Sequence, residues 1–200
     1  MMSHRIGYLI GSLSGDSINR VLSKALVRLA PAELELTEIS IRDLPLYNRD
    51  DEMNPVAAVT EFKRAVEQSD GLLFISPEYN RSIPAPLKNA IDWGSRPWGQ
   101  NSFARKPTGI IGASVGAIGT AVMQASMRSV LSFLDAPQLN APEAYITFKP
   151  EIYGENGEVN DSGTEEFLRH YMEEYAAFVE RVLSSIHPGH IGDDHPDTKH

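Results

Sequence analysis

The polar residues in the segment GSLSGDSINR, residues 11–20, could bind an anion. Ser12, Ser14 and Ser17 offer hydroxyl groups, Asn19 offers an amide, and the glycines allow the backbone to approach a ligand closely. The segment leads into a helical pattern, and the free N–H groups and dipole of a helix N-terminus favour a phosphate. An ordinary turn capped by Ser17 is the alternative interpretation. The spacing matches neither the dinucleotide pattern G-x-G-x-x-G nor the triphosphate pattern G-x-x-x-x-G-K-[ST].

A second group of unusual residues lies in PEYNRSIPAPLKNAIDW, residues 77–93. Pro77 cannot donate a hydrogen bond to a sheet, so a preceding strand is predicted to end there and the chain to turn outward. The peptide groups around Glu78, Tyr79 and Asn80 would then be free to face the edge of a flat heterocycle. The Tyr79 ring could supply an apolar wall, and the Asn80 side chain both a donor and an acceptor. A plain connection needs none of this, so the segment is predicted to border a ligand.

A third segment, GASVGAIGTA, places Ser114 beside the small residues Gly116 and Gly119. Small residues allow the backbone to approach a planar ligand closely. They equally allow a helix to pack closely on a strand, so this segment supports a ligand site only together with the other two.

Strand and helix patterns alternate along the chain. Short apolar runs predict five strands, in RIGYLIGS, ELELTEIS, GLLFIS, PTGIIGAS and EAYITF. Helices are predicted over 21–29, 55–69, 84–93, 119–134 and 164–185. Such alternation predicts a parallel sheet with helices on both faces. With five strands this is an α/β flavodoxin-like three-layer sandwich in the order 2-1-3-4-5, with ligands beyond the carboxyl ends of strands 1, 3 and 4. The three polar segments follow those strands.

The composition of the chain indicates its domain organisation and excludes several kinds of functional site. The 200 residues, 42% hydrophobic and 22% charged, predict one domain over residues 1–186 and a flexible tail over 187–200. The absence of cysteine excludes thiolate chemistry and cysteine-ligated metals, and agrees with a cytoplasmic location. No run reaches the ~20 apolar residues of a membrane helix. The net charge of −9 argues against nucleic-acid binding. His190 and His195 are predicted to be solvated, so no metal site is expected.

Positive charge is concentrated near the second segment. Residues 81–106 carry a net charge of +4, because they contain one acid, Asp92, and five cations: Arg81, Lys88, Arg96, Arg105 and Lys106. These residues could be solvated side chains around loops, or a patch that receives an anionic ligand such as a nicotinamide dinucleotide. Arg81 is the best single candidate for substrate binding, because it directly follows the turn predicted to border the ligand.

Two of the three segments resemble motifs of the NADPH-dependent FMN reductase family. GSLSGDSIN is similar to the family pattern G-S-L-R-x-x-S-x-N, and residues 77–93 are very similar to P-E-Y-N-x-S-x-P-x-x-L-K-N-A-I-D-W. The resemblance covers roughly the first three quarters of the chain. It is closest to the bacterial quinone, azo-compound and chromate reductases of that family. One departure is that Ser14 stands where the family commonly has arginine.

The resemblance implies an FMN site built from the same three segments. Ser12, Ser17 and Asn19 would bind the phosphate, residues 77–80 would border the isoalloxazine, and Ser114 with its neighbours would line the other edge. The full predicted cofactor set is Ser12, Ser14, Ser17, Ile18, Asn19, Pro77, Glu78, Tyr79, Asn80, Ser114 and Gly116.

The resemblance further implies an enzyme that takes hydride from NADPH or NADH through FMN. The acceptors would be quinones, flavins, azo compounds or metal oxyanions, in a ping-pong cycle. Because flavin carries the chemistry, no catalytic side chain is predicted, and Glu78 is expected to be structural rather than a general base. A homodimer or homotetramer is expected. The alternative is a non-enzymatic, flavodoxin-like electron carrier, which the acidic composition suits and the positively charged segment does not.

Overall fold

A computed structural model describes residues 3–186 of the chain. Its centre is a five-stranded parallel sheet in the order β2-β1-β3-β4-β5, which confirms the predicted flavodoxin-like architecture. The strands are β1 (His4–Ile10), β2 (Leu34–Glu38), β3 (Gly71–Ile75), β4 (Thr108–Ser114) and β5 (Ala144–Thr147). The helices are α1 (Ile18–Leu29), α2 (Ala57–Gln68), α3 (Ala85–Gly94), α4 (Ala121–Phe133) and α5 (Ser162–Ser185).

The predicted elements agree with the observed ones to within about three residues at each end. Two short 3-10 helices, Arg49–Asp51 and Pro150–Ile152, were not predicted. The flexible tail predicted at 187–200 lies outside the described residues. Between residues 3 and 186, no helix has the length and apolar character needed to span a membrane.

The helices cover both faces of the sheet, as an alternating parallel fold requires. Helices α1 and α5 pack on one face, where Leu22, Leu26 and Tyr171 are fully or almost fully buried. Helices α2, α3 and α4 pack on the other face, where Phe62 and Met123 are buried. Strand β3 is buried along its whole length, which explains why its sequence is continuously apolar rather than alternating.

The carboxyl ends of β1, β3 and β4 approach one another closely. A Cβ atom on Gly11, just after β1, would lie 2.2 Å from the Ser76 hydroxyl oxygen. A Cβ on Gly112, in β4, would lie 2.1 Å from the Ser76 carbonyl oxygen. Neither position therefore accommodates a side chain, and the three polar segments begin side by side.

The side chain of Asn19 connects α1 to β4 across β3. Its amide nitrogen donates to the Ala113 carbonyl (2.9 Å), and its amide oxygen accepts from the Ala113 N–H (2.8 Å). The pairing of β3 with β4 ends at Ile75 and Ile111, two residues before Ala113. The completely buried amide of Asn19 therefore takes the place of the peptide that β3 no longer supplies.

We predict that Asn19→Ala lowers the free energy of unfolding by about 2–4 kcal/mol, because both peptide groups of Ala113 lose their partner in a buried environment. Asn19→Asp should also destabilise the protein, because it keeps an acceptor for the Ala113 N–H but sets a second oxygen against the Ala113 carbonyl. Urea unfolding of the cofactor-free protein, followed by circular dichroism, measures both changes. A change below about 0.5 kcal/mol for Asn19→Ala, the range of ordinary surface substitutions, would contradict this role.

Candidate functional site

The loops after β1, β3 and β4 meet at one edge of the sheet. The loops after β3 and β4 border a cleft of about 520 Å³, lined by Glu78, Asn80, Arg81 and residues 114–119. The loop after β1 reaches the same place through a hydrogen bond between the Ser12 and Tyr79 hydroxyl groups (3.3 Å). This position agrees with the rule that doubly wound sheets bind ligands beyond the carboxyl ends of their strands.

The first loop, residues 11–17, ends at the N-terminus of α1. Ser17 is the N-cap of the helix and accepts from the Asn19 N–H (3.2 Å), so the capping interpretation of Ser17 is confirmed. The buried Ser12 hydroxyl accepts from the Ser14 N–H (3.3 Å). Within residues 3–186, the N–H groups of Gly15, Ser17 and Ile18 have no acceptor. A helix N-terminus with such unpaired donors can bind an anion.

This loop also carries an acid. The Ser14 hydroxyl donates to the Asp16 carboxylate, and this hydrogen bond lowers the pKa of Asp16 below its ordinary value. Asp16 is therefore ionised at neutral pH and places a negative charge beside the unpaired N–H groups. The cation nearest in sequence, Arg20, pairs with Glu38 (3.0 Å). Residues 11–17 thus offer N–H donors and hydroxyls but no cation of their own.

The second loop forms a tight turn. The peptides of Tyr79 and Ser82 exchange two hydrogen bonds (3.2 and 3.0 Å), and the two residues between them are in left-handed conformations, with φ of 50° at Asn80 and 62° at Arg81. These features are typical of a type I′ turn. Asparagine tolerates this conformation, whereas arginine adopts it at a cost of roughly 1–2 kcal/mol. The turn leaves the N–H groups of Glu78 and Asn80 without an acceptor within residues 3–186.

Glu78 fastens this turn to α4. One of its carboxylate oxygens accepts from the N–H groups of Val122 and Met123 in the first turn of the helix (both 3.0 Å). The other oxygen accepts from the Arg81 guanidinium (2.9 Å). Thr120, the N-cap residue of α4, makes no side-chain capping hydrogen bond, so the negative charge of Glu78 supplies the cap. Both oxygens of Glu78 are engaged, as expected for a structural residue rather than a general base.

Helix α3 uses the remainder of the motif to hold a distant segment. The Asn89 side chain accepts from the Tyr47 N–H (2.8 Å) and donates to the Pro45 carbonyl (2.9 Å). The Trp93 indole N–H donates to the same carbonyl (2.8 Å), and the ring is buried. Trp98 remains 71% exposed, with the Arg96 guanidinium 5.7 Å from its ring centre. The motif therefore shapes the wall of the site and fixes the chain that follows β2.

The third loop follows β4 and is mostly exposed. The Ser114 hydroxyl accepts from the Gly116 N–H (3.1 Å), which turns the chain away from the sheet. Gly119 has a φ of 56°, and a Cβ there would lie 2.8 Å from the Tyr145 backbone. Gly119 is thus required by close packing on β5, one of the two explanations that the sequence left open.

The five cations between residues 81 and 106 do not form one patch. Arg105 and Lys106 precede β4 and so lie at the opposite end of that strand from the cleft. Lys106 donates to the carbonyls of Glu67 and Ser69, and Lys88 pairs with Asp92. Of the five, Arg81 alone lines the cleft. Of the two interpretations of these cations, a single patch around the site is therefore wrong, because the length of β4 separates Arg105 and Lys106 from the cleft.

The predicted cofactor residues differ in their position relative to the cleft. Glu78, Asn80, Ser114 and Gly116 line the cleft. Pro77 is buried at the end of β3. The amide of Asn19 makes two hydrogen bonds to Ala113, which leaves one N–H of this completely buried side chain, and its contact with a phosphate stays a prediction.

Another depression, of about 420 Å³, lies at the far end of α4 and includes Arg128, Gln138 and Asn140. Its polar side chains bind one another and the nearby backbone: Arg128 donates to the Leu139 carbonyl and to Asn140, and Gln138 donates to the Arg128 carbonyl. It shares no residue with the three loops, so the cleft at the carboxyl edge is the better candidate.

Comparison with known proteins identifies the family of the chain. Residues 4–151 match the model of the NADPH-dependent FMN reductase family. The chain belongs to this family. It is 43% identical to a 2-hydroxy-1,4-benzoquinone reductase from a Burkholderia species, over 89% of this chain and 97% of the relative. It is 42% identical to a quinone reductase from Pseudomonas putida, over 88% and 95% of the two chains.

A solved structure supports the same assignment. The flavoenzyme NAD(P)H:(acceptor) oxidoreductase FerB from Paracoccus denitrificans superimposes with a TM-score of 0.86 at 40% identity, covering 89% of this chain and 98% of that one. The family resemblance deduced from the two sequence motifs is therefore confirmed.

We predict that Glu78→Ala lowers the free energy of unfolding by about 1–2 kcal/mol, the usual cost of losing a helix cap. Glu78→Gln should cost less, because its amide oxygen still accepts from Val122 and Met123. Glu165→Gln, which breaks an exposed ion pair with Arg169 (2.6 Å), is the control and should change stability by at most about 0.5 kcal/mol. Thermal or urea unfolding of the cofactor-free variants gives these values. Equal losses for the Ala and Gln variants of Glu78 would rule out the cap.

Proposed function

We propose that this protein is an FMN-dependent NAD(P)H oxidoreductase that reduces quinones. The observation that carries the proposal is the junction of an anion-binding loop, a type I′ turn and an exposed glycine-containing loop at one sheet edge. Membership of the NADPH-dependent FMN reductase family supports it, as do relatives named quinone reductases that align over almost their whole length.

The residues present fit the phosphate end of FMN. The unpaired N–H groups of Gly15, Ser17 and Ile18, together with the hydroxyls of Ser12 and Ser17, form a set of donors at a helix N-terminus, whereas the Ser14 hydroxyl donates to Asp16. Ser12 and Asn19 would act mainly by position, since Ser12 is hydrogen-bonded within the site and Asn19 fixes α1. Such a set binds an anion through dipoles, without a formal positive charge in the loop itself.

The second and third loops fit the flat end of the cofactor. The N–H groups of Glu78 and Asn80 would face the ring edge and stabilise negative charge that develops there on reduction. Ser114 and Gly116 would lie along the other edge, where the glycine allows close approach. FMN, when bound, supplies the capacity to accept a hydride and pass its electrons on. The chain positions the ring and sets the local electrostatics.

The exposed side of the cleft would receive both substrates in turn. Val115 and Ile118 are exposed beside it, 78% and 47% respectively, and give an apolar surface suited to a quinone ring. Sharing one face requires the oxidised nicotinamide to leave before the acceptor enters, so we propose a ping-pong cycle. The same exposed apolar side chains would suit a contact between subunits, in keeping with the homodimer or homotetramer expected from the sequence.

The acidic composition favours a second candidate, a flavodoxin-like electron carrier without its own NAD(P)H activity. The positively charged segment no longer argues against a carrier, because its cations are dispersed. The relatives' names favour the enzyme, and kinetics distinguish the two candidates.

We expect the FMN-loaded protein to oxidise NADPH or NADH rapidly when a benzoquinone is present. Initial rates measured at several fixed quinone concentrations should give parallel double-reciprocal lines, because the first product leaves before the acceptor binds. Acid precipitation should release the flavin, since there is no cysteine to form a thioether link. Intersecting lines would contradict the shared face. A protein that binds FMN but oxidises NAD(P)H no faster than free FMN would be a carrier.

We predict that replacing Arg81 raises KM for NADPH about three- to tenfold, because an exposed cation beside the cleft would attract the dinucleotide, and added salt should reduce the difference. Arg81→Ala and Arg81→Gly form a matched pair. Both remove the charge, but glycine also relieves the left-handed conformation. A KM for NADPH that rises to a similar extent in both variants would show that the charge matters. An unchanged KM for NADPH in both variants would show that Arg81 is a solvated side chain that does not bind the dinucleotide.

A further inference from the structure

We propose that Arg42 is the cationic partner of the phosphate bound at the loop of residues 11–17, because the loop itself contains no cation. This inference rests on the proposed FMN site and concerns how this chain binds the charged end of the cofactor. It assigns a role to a residue that lies outside all three polar segments of the sequence.

Arg42 reaches the loop directly. Its guanidinium donates to the Leu13 carbonyl over 2.7 Å, although 29 residues separate the two in sequence. Arg42 follows Ile41, which is buried in the core, and the Arg42 N–H donates to the Ser40 hydroxyl (3.3 Å). The backbone that carries the side chain is therefore anchored, and the arginine approaches the loop from the chain that follows β2.

The charge of Arg42 is available to a ligand. Among residues 3–186, Arg42 has no carboxylate partner, whereas Arg20, Arg81 and Lys88 each have one. The Leu13 carbonyl uses one N–H group of a guanidinium that carries five. The remaining donors stay free, and hydrogen bonds from a charged donor to phosphate are among the strongest in proteins.

The loop needs such a cation. Ser14 occupies the place where the family pattern has arginine, and the ionised Asp16 adds a negative charge next to it. A phosphate monoester with nearly two negative charges would meet only dipoles and an acid in the loop itself. An arginine contributed from a neighbouring segment restores the balance of charge without changing the course of the loop.

The experiment compares FMN with riboflavin, which lacks the phosphate, in fluorescence titrations of the cofactor-free protein. Arg42→Gln keeps a donor for the Leu13 carbonyl and removes the charge. We expect it to weaken FMN binding about tenfold and riboflavin binding by less than about twofold. The difference should shrink in about 0.5 M salt, because exposed charges are screened. Arg42→Lys, which keeps the charge, should lose less affinity for FMN.

Arg181→Gln is the matched control. It removes the same charge near the end of α5, beside Phe178 and next in sequence to Glu180, which contacts His4 at the start of β1. This region is at the opposite edge of the sheet, so the affinity for both flavins should stay unchanged. Circular dichroism of each variant establishes that it is folded before it is titrated.

Ser14→Arg tests whether the two positions serve one purpose. It should tighten FMN binding by about tenfold in the Arg42→Gln background, and by clearly less in the wild type, where Arg42 already supplies the charge. Equal gains in the two backgrounds would overturn the proposal. So would an Arg42→Gln variant that loses both flavins equally, or neither. A wild-type protein that binds no FMN would instead refute the proposed function.

Discussion

The two hydrogen bonds between the Asn19 amide and the Ala113 peptide are the interaction on which the site depends. They hold the first turn of α1 against β4 at the point where β3 ends and a strand can no longer supply the partner. A helix N-terminus can contribute to binding a larger ligand only if it is fixed relative to the residues that bind the rest of that ligand. Because the Asn19 amide is completely buried, its hydrogen bonds are shielded from competition with water.

Two further contacts extend this anchor to the other loops. The hydrogen bond of Tyr79 with Ser12 joins the first loop to the second, and the carboxylate of Glu78 joins the second loop to α4. Each of the three loops is thereby tied to the other two or to the elements that carry them. The loops that would bind the charged end and the flat end of one cofactor are thus held in place before it binds, which lowers the entropic cost of binding.

The fold, and the meeting of the three loops at one edge of the sheet, could be predicted from sequence because both depend on local patterns. Continuous apolar runs such as GLLFIS indicate buried parallel strands, and Pro77 and Ser17 mark the end of a strand and the start of a helix. The contacts between distant residues could not be predicted in this way. Nothing near Arg42 in sequence shows that it reaches Leu13, and no spacing rule links Glu78 to the N-terminus of α4.

The wrong prediction of a positively charged patch has the same origin. Closeness in sequence does not imply closeness in space: Arg105 and Lys106 precede β4, so the whole length of this strand separates them from its ligand-facing end, where Arg81 lies. The structural role of Asn19 could not be predicted for a related reason. A buried asparagine beside a phosphate loop satisfies the family pattern equally well as a ligand or as a substitute for a missing strand, and only its partners distinguish the two.

A crystal structure of the protein with FMN tests the central claim most directly, namely that the three loops form one flavin site. The account predicts the phosphate at hydrogen-bonding distance, about 2.7–3.2 Å, from N–H groups of residues 15–18, and the ring edge against the peptides of residues 78–80. Density for FMN with its ring at the first loop, or in a different cleft, would contradict the account.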